Sequence, residues 1–138
     1  PVIQKKEIIV KVKPEKVWKT LTAINSWGKW NSRITKSEIN SAIEIGQSFK
    51  WNINGVSILS KLEIVEENKV FGWTGKTFGG KAIHNWYLEE IAEGTIVKVE
   101  ESMEGWLINL FKKKMNTTLE NDMEYWLNQL KNECEIIA

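Results

Sequence analysis

Between Thr35 and Glu104 apolar and polar residues alternate, whereas after Gly105 apolar residues recur every third or fourth position. Alternation belongs to half-buried strands and the longer repeat to an amphipathic helix, so the change of period divides the chain into a sheet and a helix. Turn-forming residues at Asn54-Gly55, Glu67-Asn68, Gly79-Gly80 and Ala92–Gly94 cut the first part into hairpins. They predict strands at 36–40, 47–53, 56–66, 69–78, 81–90 and 95–104. An earlier alternation from Ile3 to Val12, with Ile8, Val10 and Val12 on one side, adds a first strand. Pro14 opens a short helix to Thr22, and a second short helix covers Ile24 to Trp30. Ile108, Phe111, Met115, Leu119, Met123, Trp126, Leu130 and Cys134 form the stripe of one long last helix.

This order predicts an α+β fold: a strongly curved antiparallel sheet of about seven strands wrapped on the C-terminal helix, with two short helices after the first strand. One face of such a sheet must be covered, and only the last helix is large enough to cover it. The 138 residues fit one domain, 1–138, with ordinary composition.

Hairpin register follows from the turns. Asn54-Gly55 pairs Ile53 with Val56 and Trp51 with Ile58; Glu67-Asn68 pairs Ile64 with Phe71 and Leu62 with Trp73. Gly79-Gly80 sets Trp73 opposite Trp86 and Gly75 opposite His84, and Ala92-Glu93 sets Trp86 opposite Val99 and His84 opposite Glu101. A turn at Glu93-Gly94 would instead face Glu101 with Trp86 and leave His84 diagonal to it. The parity agrees throughout, because a slip of one residue would turn a whole strand over. Trp51, Leu62, Ile64, Phe71, Trp73, His84, Trp86, Val99, Glu101 and Met103 therefore share the inner face, while lysines and glutamates dominate the outer one.

Composition removes several classes of function. Nineteen basic and 18 acidic residues leave a net charge of +1, and only Arg33 is an arginine, so nothing favours nucleic acid. One cysteine and one histidine imply no disulfide and no metal site needing two such ligands, and no cofactor is expected. No apolar run approaches the ~20 residues of a membrane span and no signal-like stretch opens the chain, so a cytoplasmic protein without a stable membrane anchor is expected. Pro1 reads as a processed or trimmed start. Lys112-Lys113-Lys114 reads as part of the solvated side of the last helix, and Cys134 as a small buried hydrophobe.

Eight tryptophans, at 18, 27, 30, 51, 73, 86, 106 and 126, admit two readings: core filler, or the lining of a cavity for an apolar ligand. His84 and Glu101 admit three: a satisfied pair that fixes register, a polar anchor on a cavity floor, or a proton-transfer couple.

The layout resembles the helix-grip fold of the START-related (SRPBCC) superfamily, which includes birch-pollen-allergen-like proteins, and in particular its polyketide cyclase/dehydrase-like branch. The resemblance rests on Pro14-Glu15-Lys16-Val17-Trp18, Trp27-x-x-Trp30-Asn31, Gly46 to Trp51, His84-x-Trp86-x-Leu88, Gly94-Thr95 and Glu101-Ser102-x-x-Gly105. It implies a cavity between sheet and last helix, gated by the short helices and hairpin tips, with Trp27 and Trp30 at the gate and Trp106 where the helix begins. Its walls would include Trp51, Phe71, Trp73, Trp86, Val99, Met103, Phe111, Met115 and Leu119, with His84 and Glu101 orienting a polar end of the ligand. The expected function is carriage or sensing of a small hydrophobic, aromatic or lipid-like molecule by a monomer or weak homodimer. A cyclase or dehydratase working through His84 and Glu101 is the alternative, and a chaperone-ATPase-activator-like interaction module a second one.

Overall fold

The computed structural model describes residues 1–136. Seven strands form one antiparallel sheet in the order β1-β7-β6-β5-β4-β3-β2: β1 (Val2–Val10), β2 (Ile34–Glu38), β3 (Ser48–Ile53), β4 (Val56–Glu66), β5 (Val70–Thr77), β6 (Gly80–Ile91) and β7 (Gly94–Glu104). After β1 come α1 (Pro14–Thr22) and a 3-10 helix (Ile24–Lys29); after β7 come α2 (Trp106–Leu110) and α3 (Lys112–Glu135). This is the helix-grip arrangement, with α3 crossing the inner face of the curved sheet.

Local chemistry accounts for the elements. Pro14 occupies the first turn of α1, where its missing N–H costs nothing, and the helix buries Val17 and Leu21. The first strand ends at Val10, two residues earlier than its alternation predicts; Val12 leaves the ladder but its carbonyl accepts the Thr95 hydroxyl at 2.7 Å. The turn at Asn54-Gly55 pairs Ile53 with Val56 and Trp51 with Ile58, and the last turn pairs Ile91 with Gly94, Trp86 with Val99 and His84 with Glu101, as expected.

Two hairpins depart from the expected register. In β4 a bulge between Leu62 and Ile64 moves the following pairs by one residue. Leu62 still faces Trp73, but Val65, not Ile64, faces Phe71 and packs on the core. The turn that follows places Asn68 in the left-handed region at φ 62°, and Lys69 N–H donates to the Glu66 carbonyl at 2.9 Å.

In the next hairpin the turn residues are Phe78-Gly79, and Gly80 already pairs with Thr77. Trp73 therefore faces His84, Phe71 faces Trp86 and Gly75 faces Ala82, a slip of two residues that leaves the inner face unchanged. The cause is tertiary: Leu107 N–H donates to the Gly79 carbonyl at 3.1 Å, and a Cβ at Gly79, whose φ is +74°, would lie 2.5 Å from that of Leu107. The hairpin tip is placed by its docking on α2.

The last helix is not continuous. Phe111 leaves helical geometry (φ −115°, ψ 37°), so α2 and α3 have different directions. Beyond the break α3 buries Leu119, Met123, Trp126, Leu127, Leu130 and Cys134, the stripe read from the sequence. Burial pushes the Cys134 thiol above its usual range, consistent with an inert packing role. The outer sheet face is not uniformly polar, because Ile3, Ile9, Leu59 and Ile83 lie exposed among its lysines and glutamates.

Candidate functional site

Period-2 parity delivers Trp51, Trp73, His84, Trp86, Val99 and Glu101 to the concave face, and α3 lowers Trp126 onto them. The rings meet. Trp27 contacts Phe49, Trp51, Trp73 and Trp126 with centroids 5.3–5.6 Å apart. Phe71 contacts both Trp18 and Trp73 at 5.6 Å. Trp27 is therefore not at a gate: it is 0% exposed and lies at the centre of the aromatic core. Trp30 is buried in the same core, and neither residue forms an entrance. Phe111 is not a wall either, because the break before α3 leaves it 48% exposed.

Of the other expected wall residues, Val99 and Leu119 are buried and Met103 and Met115 are half-buried against the core. Trp106 stands exposed at the start of α2. Trp51, Phe71, Trp73, His84, Trp86 and Val99 from the sheet thus join Leu119 from α3 in one buried cluster, with Glu101, Met103 and Met115 at its half-buried margin.

His84 is the polar centre. Its imidazole stacks on Trp73 at 4.5 Å, the planes 5° apart, and lies 5.4 Å from Trp86 and 5.2 Å from Trp126. Nδ1 is hydrogen-bonded to the Glu101 carboxylate, as the cross-strand pairing predicts. A neutral imidazole that donates from Nδ1 presents Nε2 as an acceptor. That Nε2 is buried and without a partner, and so are the indole nitrogens of Trp86 and Trp126. Trp86 and Trp126 themselves touch at 5.5 Å, so the three rings with unpartnered nitrogens are in mutual contact.

Two other tryptophans of the same core are satisfied. Trp27 Nε1 donates to the Leu21 carbonyl at 2.9 Å, and Trp51 Nε1 donates to Ser60 Oγ at 3.0 Å. Burying a polar atom without a partner costs about 1–3 kcal/mol. Two indole N–H donors and the imidazole Nε2 thus lie without partners on three touching rings in one buried cluster.

Trp126 is the residue that sequence reasoning assigned only to the closing stripe of the helix. Its place beside His84 depends on helix phase and sheet parity together. Gln4 and Lys6 are also missed, although the alternation of β1 puts them on the same side as Ile8 and Val10. Gln4 donates to Asn116 at 2.7 Å, while Lys6 pairs with Glu120 at 3.3 Å and Glu124 at 3.2 Å. The hydrogen bond that Lys6 donates to Glu124, reinforced by Glu120, holds the Lys6 ammonium above its ordinary range against the opposing effect of burial. These contacts close the seam between β1 and α3.

On the opposite side Arg33 pairs with Asp122 at 2.9 Å and lies over the Tyr125 ring at 4.0 Å, and Asn54 Nδ2 also donates to Asp122. A groove of about 810 Å³ lies along β2 to β5, bordered by Lys36, Glu38, Lys50 and Lys76 and also touching Phe49 and Trp51. His84 and Glu101 do not line it, and none of the three unpartnered buried nitrogens belongs to its lining.

A family model described as polyketide cyclase / dehydrase and lipid transport matches residues 3–135. A hypothetical protein from Helicobacter pylori superposes with a TM-score of 0.86 at 16% identity, covering 96% of this chain and 88% of that one. A START superfamily protein from Mycobacterium smegmatis gives 0.75 at 15% identity, covering 94% and 97%. The di-domain ARO/CYC BexL from the BE-7585A biosynthetic pathway gives 0.82 at 12% identity, with 99% of this chain spanning 50% of that one. At such identities these structures share the fold. No curated protein matches the chain.

Proposed function

Because the chain belongs to the polyketide cyclase/dehydrase and lipid-transport family, we propose that it binds a small, largely apolar molecule whose hydroxyl or enol oxygen docks among His84, Trp86 and Trp126. The observation that carries this reading is the trio of buried, unpartnered nitrogens on three touching rings. Apolar burial would supply the affinity, and the three polar atoms would select the hydroxyl. Entry would run past the half-buried Met103, Met115 and Glu101, where the core is less completely closed than at Trp27. The unbranched methionine side chains can yield there at modest cost.

The test is a set of paired ligands, each phenol or alcohol against its hydrocarbon or methyl-ether counterpart, followed by calorimetry and tryptophan quenching. The hydroxyl partner should bind roughly 5–150-fold more tightly, the equivalent of filling one otherwise unsatisfied site. Equal affinities across the pairs would remove the proposal. Native mass spectrometry of protein isolated from its own host adds the identity of a retained molecule.

A second reading follows from the His84–Glu101 couple itself. An imidazole held by a carboxylate at Nδ1 with Nε2 free is the arrangement of a general acid/base. The fold shared with the ARO/CYC protein makes cyclisation or dehydration the reaction class to examine. Here His84→Ala and Glu101→Gln would abolish turnover while leaving ligand bound; weakened binding alone identifies a carrier.

A further inference from the structure

The end of the molecule formed by the β5–β6 hairpin tip and α2 displays its largest apolar side chains to solvent. Phe78 is 79% exposed, Leu110 66% and Trp106 61%, and half-exposed Phe111 adjoins them in the chain. Phe78 and Trp106 are in edge-to-face contact at 5.6 Å, which joins the tip and the helix into one patch. Trp106 and Leu110 are four residues apart and so share a helix face.

The patch is held in place. Besides the Leu107 N–H to Gly79 bond, Gly105 has φ +131°, and a Cβ there would come within 2.5 Å of the Gly79 carbonyl oxygen. Gly79 and Gly105 thus allow two backbones to meet at a distance that side chains would forbid. The aromatic residues are mounted on a braced corner of the fold.

Charge surrounds the patch asymmetrically. Segments 76–81 and 104–114 carry Lys76, Lys81, Lys112, Lys113 and Lys114 against the single Glu104, a net of +4. The whole chain is +1, so the remaining residues are net −3. Glu104 is paired with Lys81 at 3.2 Å, and the three consecutive lysines directly follow Phe111. Exposed Trp, Phe and Leu beside lysines match the two layers of an anionic bilayer surface: apolar side chains enter the headgroup–acyl boundary while ammonium groups meet the phosphates.

We infer that this corner docks the protein reversibly on anionic lipid membranes, with Phe78, Trp106 and Leu110 inserting and Lys112–Lys114 engaging headgroups. The attachment is peripheral, since no helix among the described residues is long and apolar enough to cross a membrane. It stands independently of the ligand reading, because it uses none of the residues around His84.

The test is co-sedimentation of the full chain with phosphatidylcholine–phosphatidylglycerol vesicles and with pure phosphatidylcholine vesicles, at low and high salt. Brominated lipids added to the same vesicles report insertion of Trp106 by quenching. The protein should bind the anionic vesicles, be released by salt, and ignore the neutral ones. Lys112→Glu/Lys113→Glu/Lys114→Glu should weaken binding at least fivefold for each charge removed. Phe78→Ser/Leu110→Ser, which keeps Trp106 as the reporter, should weaken vesicle binding and reduce its brominated-lipid quenching while melting at the wild-type temperature, because both side chains are exposed.

Failure to bind anionic vesicles at low salt overturns the inference, as does binding unaffected by either set of substitutions. Self-association that Phe78→Ser/Leu110→Ser removes, without vesicle binding, would instead assign the corner to a dimer. Binding of the neutral vesicles equal to that of the anionic ones would also overturn it.

Discussion

The aromatic core has two halves that are equally buried and differently completed. Around Trp27 and Trp51 each indole N–H reaches an acceptor, the Leu21 carbonyl in one case and Ser60 Oγ in the other. Around His84 the rings pack as closely, but Nε2 of His84 and the indole nitrogens of Trp86 and Trp126 have no partner. Burial alone therefore does not distinguish the two halves; hydrogen-bond completion does. The first half is complete in its hydrogen bonds, and the second holds three buried nitrogens without partners.

The largest expected effect falls on the completed half. Trp27→Ala removes a fully buried indole that touches four other aromatic rings, and should cost about 3–5 kcal/mol in denaturant unfolding. A loss below about 1 kcal/mol would mean that this half is loosely packed after all, and the contrast would fail on its structural side.

A sharper comparison substitutes phenylalanine in each half. Trp27→Phe strands the Leu21 carbonyl and should cost about 1–3 kcal/mol beyond the loss of ring volume. Trp126→Phe deletes a nitrogen that has no partner, so only the volume loss remains. Trp126→Phe should therefore be the milder change in unfolding measurements, yet the one that lowers affinity for a hydroxyl-bearing ligand. Equal destabilisation by the two would show that the indole of Trp126 is satisfied in the folded protein.

How far the sequence carries this picture depends on the kind of interaction. Parity was legible wherever the ladder is regular: the two-residue slip in the β5–β6 hairpin left Trp73, His84 and Trp86 facing inward, and only the β4 bulge exchanged Ile64 for Val65. The slip itself was not legible, since it depends on Gly79 docking against Leu107, a contact between elements distant in the chain. The same holds for Phe111. Its spacing fits the helical stripe, but its backbone leaves helical geometry and its side chain stays outside. Trp126 could be placed on the apolar stripe by period, but its role beside His84 needed the sheet as well. His84 and Glu101 were legible as partners because cross-strand register is local to one tight turn. Whether an indole finds an acceptor is decided at atomic scale, which is why the two halves looked alike in the sequence.

Smaller effects test the closures at the sides of the core. Asp122→Ala removes the Arg33 ion pair together with the Asn54 hydrogen bond, and so releases α3 from the β3–β4 hairpin tip. Both charged partners are partly exposed, which limits the expected cost to about 0.5–1.5 kcal/mol. High salt should reduce it. If ligand binding accelerates in Asp122→Ala, the latch rather than the Met103–Met115 margin controls entry, and the assignment of the entrance moves to the completed half.

The smallest effect lies where α3 ends beside β1. Glu135 accepts from Lys131 Nζ at 2.6 Å and from the Lys11 backbone N–H at 2.8 Å, while Lys131 also donates to the Ile9 carbonyl at 2.8 Å. The Lys131 ammonium, helped by the Lys11 N–H, holds the Glu135 carboxyl below its ordinary range. A carboxyl lowered on folding contributes stability above its unfolded pKa, and that contribution is lost as pH falls through the folded value. The stability difference between wild type and Glu135→Gln should thus be greatest near neutral pH and shrink as the solution is acidified below the ordinary glutamate range. Solvent screening keeps it small. Melting curves across that range check it, and a difference that stays constant would show that the ionised carboxylate is not what fastens the helix end. Because this clamp is remote from His84, its release should leave ligand affinity unchanged, whereas acid-induced loss of affinity in step with it would couple the completed half to the site.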